Sequence, residues 1–442
     1  MSEKQEKKGL NISAASFVAA ILILLVLMVL TYGLTFVIPG GEISFGKWLF
    51  SPILVLGAEG SGSLIAVIVF LLVIGGIFNS LEKCGLMKYM LDRITARFGS
   101  NRYRLMYLVA LFFMAMGSFI GSFEECVPMV PIVVALSLRL GWDAMTGMGM
   151  SLLAAGCGFA AGICNPFTVG VAQELAGLPM FSGMGLRTLG FILIYLLLVG
   201  FLSGYARKID CGVTDAGTMA DFKEDRRMDR GLFCFVSIVC CGIALVLSSA
   251  LITVLQDYTM IIVAVMFLAA GVIAVLVSGM RLSDLGRTFL NGLVSVLPAV
   301  LMILMANSIK YTLVEADILD TILQGAVQIA GTLPRWQVLL FIYLLVLVMN
   351  FFIPSGSAKA FLLIPLIMPL AQAFELNAQL CILAFAFGDG FSNVFYPTNP
   401  VLLISLGLAD VSYGKWFRFS GRFQLWNLVL TSGILLVALA IL

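Results

Sequence analysis

Long apolar stretches bounded by short polar segments recur along the chain. Seven runs, at 14–39, 61–81, 185–205, 231–254, 257–279, 289–313 and 421–442, are apolar enough to span a bilayer, whose core takes about 20 residues of helix to cross. The first is read as a span and not as a cleaved leader. It is too long, no small-residue cleavage site follows it, and Pro39-Gly40-Gly41 ends it as a turn. Two further stretches, 104–180 and 336–410, are apolar but interrupted by Gly, Pro, Asn and charges. The pattern predicts an all-α polytopic membrane protein with nine crossings and two re-entrant helical hairpins.

Basic residues set the expected orientation. With Lys4, Lys7 and Lys8 on the cytoplasmic side, alternation places 82–104 inside with Lys83, Lys88, Arg93, Arg97, Arg102 and Arg104. It also places 206–230 inside, with Arg207, Lys208, Lys223, Arg226, Arg227 and Arg230. Of the outer segments, 40–60 carries only Lys47, and 314–334 carries Glu315, Asp317 and Asp320 with no Lys or Arg. The N-terminus is thus expected in the cytoplasm and the C-terminus outside. The mixed-sign segment 206–230 reads as a solvated linker between halves 1–205 and 231–442.

The halves align when shifted by about 232 positions. Gly99 falls on Gly331, and Gly156-Cys157-Gly158-Phe159 falls on Gly388-Asp389-Gly390-Phe391. With small gaps, Asn165-Pro166 meets Asn399-Pro400, Gly177-Leu178 meets Gly407-Leu408, and Arg187 meets Arg418. The amphipathic stretches that match, 82–104 and 314–334, are basic and acidic, so they belong on opposite faces. This is the sequence form of an inverted-topology repeat, the plan of many secondary transporters.

The interrupted regions are where chemistry can sit. In the first, a hairpin over 104–140 turns at Gly121-Ser122-Phe123-Glu124-Glu125, and a helix over 143–177 breaks at Gly162-Ile163-Cys164-Asn165-Pro166 before Phe167-Thr168. In the second, a hairpin over 336–375 turns at Pro354-Ser355-Gly356-Ser357-Ala358-Lys359. Its broken helix, 378–407, carries Gly388-Asp389-Gly390-Phe391-Ser392-Asn393 and then Pro397-Thr398-Asn399-Pro400. Lipid cannot satisfy the backbone groups freed at a break, so breaks line protein or a wet cavity. Half-helix N-termini suit a carboxylate, and half-helix C-termini offer carbonyls to a small cation.

Composition and charge sharpen this. The chain is 61% hydrophobic and 11% charged over 442 residues, whereas a soluble protein is about 25% charged; lipid is its solvent. Five charges fall inside the interrupted apolar regions: Glu124, Glu125, Glu174, Lys359 and Asp389. Each costs roughly 2.5–3.5 kcal/mol at the bilayer centre, so they must be paired, wet or shallow. Lys359 serves equally well as substrate contact or as a structural partner for a hairpin carboxylate. Glu174 reads as structural or vestibular, and Asp389 as a cation or substrate contact. Adjacent Glu124 and Glu125 repel, which suits a carried proton, an amine or a sodium ion between them.

No histidine is present, so a Ser-His-Asp triad, a His-ligated zinc site and an imidazole relay are excluded. The net charge of +2 gives no basic patch for nucleic acid. The nine cysteines contain no Cys-x-x-Cys and read as buried reduced thiols. No phosphate-binding GxxxxGK[ST] loop is present for a primary pump.

At these residues the sequence resembles the C4-dicarboxylate anaerobic carrier family, in particular its YfcC-like branch within the ion transporter superfamily. The similar stretches are GSFEECVPMVPIVVALSLRLGWD (121–143), GCGFAAGICNPFTVGVAQELAG (156–177), PSGSAKAFLLIPLIMPLAQ (354–372) and FGDGFSNVFYPTNPVLLISLG (387–407). The resemblance implies an inverted-repeat carrier in a bacterial inner membrane, a homodimer, elevator-like motion, and anionic or amino-acid substrates coupled to sodium or protons. Carried over, the substrate contacts are Glu124, Glu125, Asn165, Pro166, Phe167, Thr168, Ser355, Gly356, Ser357, Lys359, Asp389 and Asn399. The coupling-ion contacts are Ser122, Asn165, Asp389, Ser392, Asn393, Thr398 and Asn399. The chain departs from the family pattern at Ala358, where a turn glycine is expected, and in Pro397-Thr398-Asn399-Pro400.

The expected activity is ion-coupled secondary transport of a small carboxylate-bearing metabolite, an amino acid or short peptide. The alternatives are a C4-dicarboxylate carrier or exchanger, and, from another class, an ion channel. A plain dicarboxylate should want more cations than Lys359 alone. The hydroxyl and amide oxygens around both breaks favour sodium, and the Glu pair leaves a proton as the alternative. No enzyme activity and no cofactor beyond the coupling ion are expected; the partners are the transported solute and membrane lipid.

Overall fold

The computed structural model describes residues 14–38, 41–58, 61–98, 101–119, 121, 123–179, 181–209, 224–249 and 259–441. All regular structure among them is helical. In the first part of the chain α1 is Ala14–Leu34, α2 Ser61–Lys83, α3 Leu86–Phe98 and α4 Arg102–Phe119. A 3-10 turn, Glu124–Met129, leads into α5, Val130–Arg139. Helix α6 covers Ala144–Ala161 with one π turn inside it, a second π turn at Pro166–Gly170 leads into α7, Val171–Leu175, and α8 is Met184–Ile209.

The rest of the chain forms α9 (Arg226–Ser249), α10 (Thr259–Val277), α11 (Leu282–Ser295), α12 (Leu297–Glu315), α13 (Ile318–Ala330) and α14 (Arg335–Phe352). There follow α15 (Gly356–Ala373), α16 (Ala378–Gly390, continued by a 3-10 turn to Val394), α17 (Pro400–Leu408) and α18 (Tyr413–Ile441). The succession starting at Leu86, Arg102, Glu124, Ala144, Pro166 and Met184 is answered in order by starts at Ile318, Arg335, Gly356, Ala378, Pro400 and Tyr413.

Among the described residues seven helices are long and apolar enough to cross a membrane. The runs 14–39, 231–254 and 257–279 extend beyond the described residues; their described parts are α1, α9 and α10. The linker is described only at 206–209 and 224–230.

Three expectations change. The run 289–313 is two helices, α11 and α12, joined at Val296, because Pro298 in the first turn of α12 has no N–H to continue the earlier helix. Helix α18 starts at Tyr413, earlier than the apolar run, since Lys415, Arg418 and Arg422 are tolerated on its exposed side. Not every cysteine is buried: Cys126, Cys157 and Cys381 are, whereas Cys240 and Cys241 are exposed on α9.

Two apolar clusters hold the helices. A smaller one joins α2 to α9, α10 and α11 around Phe70, Ile77, Phe78 and Phe267. There α2 and α11 cross backbone to backbone: a methyl group added at Gly292 would lie 2.3 Å from the carbonyl oxygen of Gly75. Close approach at small residues is the usual basis of helix association in lipid. The larger cluster centres on α6 and α16, which cross each other. A methyl at Gly390 would fall 2.2 Å from Ala160 Cα, and one at Gly156 2.5 Å from Val394 Cγ1.

Polar contacts sort the connecting segments into two groups. Lys47 pairs with Glu315 at 3.0 Å, and Gly41 N donates to Ala316 O at 2.8 Å. At the other end of α2, Arg139 pairs with Asp92, Arg93 pairs with Asp229, and the Tyr89 hydroxyl donates to Asp229 at 2.7 Å.

Candidate functional site

Each break frees backbone groups that the fold must satisfy. On the N-terminal side of the helix that follows each break, asparagine does the work in both halves of the chain. Asn165 Oδ1 accepts from Thr168 N at 3.2 Å, and Asn399 Oδ1 accepts from Val401 N at 2.9 Å. These are N-caps, and Pro166 and Pro400 follow them where a missing N–H is harmless.

The freed carbonyls are also taken up. At the first break, buried Arg187 of α8 donates Nε to Ile163 O at 3.1 Å, while the break's own N–H at Cys164 donates to Ser118 O of α4 at 3.3 Å. At the second, α18 reaches across with Gln424 Nε2 to Phe391 O (2.9 Å), Trp416 Nε1 to Val394 O (2.7 Å) and Tyr413 hydroxyl to Phe395 O (3.0 Å). Carbonyls expected to face a cation are therefore engaged by side-chain donors. Among the described residues at the two breaks, the buried oxygens without a hydrogen-bond partner are Thr168 Oγ1, Thr398 Oγ1 and those of the Asp389 carboxylate.

Asp389 lies in the last turn of α16, ahead of the irregular segment 395–399. The Lys359 ammonium sits 2.5 Å from its Oδ1, and both side chains are fully buried. Neither Asp389 oxygen accepts a well-directed hydrogen bond, so the contact is ionic rather than directional. Lys359 also donates to Asn350 Oδ1. Asn350 passes the connection on, its Nδ2 donating to Ser392 Oγ (2.6 Å) and Asn393 Oδ1 (2.9 Å). Asn399 Nδ2 donates to the same Asn393 oxygen at 3.0 Å, and Ser392 Oγ donates to Gly388 O at 3.1 Å. One buried network thus links α14, α15, α16 and the N-cap of α17.

The first break reaches this network through Gly356. A methyl there would fall 2.3 Å from Thr168 Cγ2 and 2.6 Å from Asp389 Oδ2. The start of α15, the π turn after the first break and the Asp389 carboxylate therefore meet at one point. A similar approach joins the other turn to its own break: Gly121, at φ +73°, leaves no room for a Cβ, which would lie 1.9 Å from Asn165 Oδ1. Helix α17 also packs on α5 and on the turn at Glu124–Met129, as α7 packs on α15.

Of the sequence-derived candidates, Thr168, Gly356, Lys359 and Asp389 come together; Ser392 and Asn393 connect to Lys359 through Asn350, and Asn399 connects through Asn393. Thr398 is buried in the second break. Asn165 is buried and engaged as a cap, while Ser355 is exposed and Ser357 half-buried at the start of α15. Ser122 lies outside the described residues, as do the side chains of Glu124, Glu125, Pro166 and Phe167. The backbone of Glu124 and Glu125 opens the 3-10 turn rather than a loop, because Pro128 and Pro131 cannot donate to a regular α-helical first turn. Glu174 is exposed on α7.

A family model for the C4-dicarboxylate anaerobic carrier matches residues 14–440. The chain belongs to this family. Within the carriers, it is 29% identical over 382 residues to "Putative basic amino acid antiporter YfcC" of Escherichia coli (strain K12), covering 81% of this chain and 74% of the relative. It is 25% identical over 374 residues to an uncharacterized protein of Haemophilus influenzae (strain ATCC 51907 / DSM 11121 / KW20 / Rd), covering 82% and 73%. Among solved structures the carrier is similar to the YdaH transporter of Alcanivorax borkumensis, with a TM-score of 0.47 at 19% identity over 94% of this chain and 97% of that one. It is similar as well to MtrF of Neisseria gonorrhoeae, from a class of antimetabolite efflux pumps, with a TM-score of 0.47 at 14% identity over 96% and 95%.

Two residues that organise the carrier's site were not singled out from sequence. Asn350 is a lone amide in an apolar run, yet the repeat shift pairs it with Ser118, whose Oγ accepts from Ile163 N at 2.9 Å. A polar residue at the same place in both halves was the available signal. Arg187 was noted only as a repeat match, and its mate Arg418 is exposed, so the match carried no information about burial.

Proposed function

We propose that this integral membrane carrier is an ion-coupled secondary active transporter of an amino acid, acting as an exchanger of substrates with basic side chains. The observation that carries the reading is the meeting of Gly356, Thr168 and the Lys359–Asp389 pair at one buried point in a chain of the carrier family. The N-termini of α15 and α17 would hold the substrate carboxylate. Asp389, with Glu124 and Glu125 at the other turn, would receive its amino or guanidino group. The name of the Escherichia coli relative, for basic amino acid antiport, agrees with this choice. The family's description favours a second reading, C4-dicarboxylate exchange, in which Lys359 contacts the substrate.

In this proposal the halves 1–205 and 231–442 form an inverted repeat, with α4/α5 and α14/α15 as re-entrant hairpins. The N-terminus is cytoplasmic, the protein is a homodimer of the bacterial inner membrane, and transport proceeds by elevator-type displacement. The coupling ion is sodium at the hydroxyl oxygens of Thr168 and Thr398, which lack hydrogen-bond partners, and at the Asp389 carboxylate once Lys359 yields its place, with a proton on a carboxylate as the rival. It catalyses no reaction.

Purified protein in liposomes tests the reading by counterflow of radiolabelled arginine, lysine and succinate, with sodium and pH gradients imposed separately. Saturable counterflow of basic amino acids, lost in Asp389→Asn, is expected. Uptake of succinate equal to that of arginine, unchanged by Asp389→Asn and Glu124→Gln, would overturn it.

A further inference from the structure

A cavity of about 470 Å³ opens between α14 and α18, away from the meeting point of Gly356 and Thr168. Tyr343, Phe391, Phe395, Tyr396 and Phe417 give it an aromatic wall. Helix α18 brings Arg418 and Arg422 to its mouth, one turn apart; both are exposed, and neither makes an ion pair among the described residues. Deeper in the cavity lies Asn427, 1% exposed, whose two amide atoms have no hydrogen-bond partner. The flank of α18 is strongly apolar and exposed, with Leu425 at 68% and Val429 at 68%, so in an integral membrane protein this cavity faces the hydrocarbon.

We propose that the cavity is a binding site for one anionic phospholipid. Its phosphate would bridge Arg418 and Arg422, which present planar donors suited to phosphate oxygens. Asn427 follows Arg422 by five residues, about 7.5 Å along the helix and about 140° around it, so it lines the buried side of the cavity while the exposed arginines stand on its open side. At that depth below the phosphate a phospholipid carries its glycerol ester carbonyls, which would accept from the otherwise unpartnered amide. An acyl chain would lie along the aromatic wall. A fatty acid or free phosphate shares only part of this chemistry: the first lacks the ester groups at the depth of Asn427, and the second lacks the chain.

The inner wall of the cavity includes Ser392, which receives the Asn350 hydrogen bond of the transport site. A seated lipid would therefore press on the second break from behind. The inference rests on the membrane assignment and not on the identity of the transported solute.

Native mass spectrometry of the full chain in detergent tests it, with phosphatidylglycerol, phosphatidylethanolamine of the same chains, oleate and inorganic phosphate as separate probes. One phosphatidylglycerol is expected to bind in preference to the others. Arg418→Gln with Arg422→Gln should weaken it roughly thirty-fold, as each arginine near an anionic headgroup contributes about five-fold. Gly421→Trp, whose Cβ would lie 3.5 Å from Phe395 Cε2 in ordinary van der Waals contact, directs its ring into the cavity and should abolish binding even if the arginine variant fails to fold. Equal binding of the two phospholipids, full competition by oleate or phosphate, or self-crosslinking of Leu425→Cys between two copies in native membranes would overturn the assignment.

Discussion

Removing one member of the Lys359–Asp389 pair should cost far more than removing both. At 2.5 Å and an effective dielectric of about 20, the attraction between two unit charges is about 6–7 kcal/mol. Against it stands a desolvation penalty of several kcal/mol for each buried ion. The two terms nearly cancel, so the intact pair adds little net stability. Lys359→Met leaves a buried carboxylate with no other hydrogen-bond partner, and Asp389→Asn leaves a buried ammonium with neutral amide oxygens and no counter-charge. Each single variant should lose about 3–5 kcal/mol. The double variant should lose much less than the sum, with a coupling energy of at least about 2 kcal/mol. Thermal unfolding of the four purified proteins in one detergent, followed by intrinsic fluorescence, measures the cycle. Additive losses, or a Lys359→Met protein as stable as wild type, would refute the assignment of a mutually dependent buried pair.

Other outcomes follow from contacts described above. Gly356→Ala should fold but lose transport in the liposome assay, because its methyl must displace Thr168 or the Asp389 carboxylate. Gly390→Leu should lower stability by about 1–3 kcal/mol or more in a thermal melt, since the side chain meets the backbone of Ala160. Asn165→Ala should cost about 0.5–2 kcal/mol through the lost cap, and Asn165→Asp should recover part of it. Lys47→Ala breaks only an exposed contact to Glu315 and should leave the melting temperature unchanged.

The helical, membrane-spanning character of the chain was legible in the sequence because lipid imposes a simple rule on composition, and proline and glycine mark where its backbone is interrupted. The breaks at 162–165 and 395–399 were anticipated from Asn-Pro pairs whose local chemistry is self-contained. The capping of freed carbonyls was not legible. Arg187 serves Ile163 across 24 residues and Gln424 serves Phe391 across 33, and nothing in either local pattern says which carbonyl a side chain will meet. The same limit hid Asn350, which matters through its partners rather than its neighbours. The aligned repeat also misled on detail: Cys157 and Asp389 occupy matching positions, but only Asp389 has a lysine to hold.

The crossing of α6 and α16 has a mechanical consequence. At Gly390 and Ala160, backbone abuts backbone with no flexible side chain between them. Sliding one helix past the other would drive main-chain atoms into each other, so the contact behaves as a weld. The two breaks it joins are held in fixed register with each other. Compliance has to come from seams where long side chains meet, such as the boundary between this block and the separate cluster of α2, α9, α10 and α11. The two interruptions of the backbone are therefore mounted on one closely packed helix pair rather than on separately packed parts of the chain.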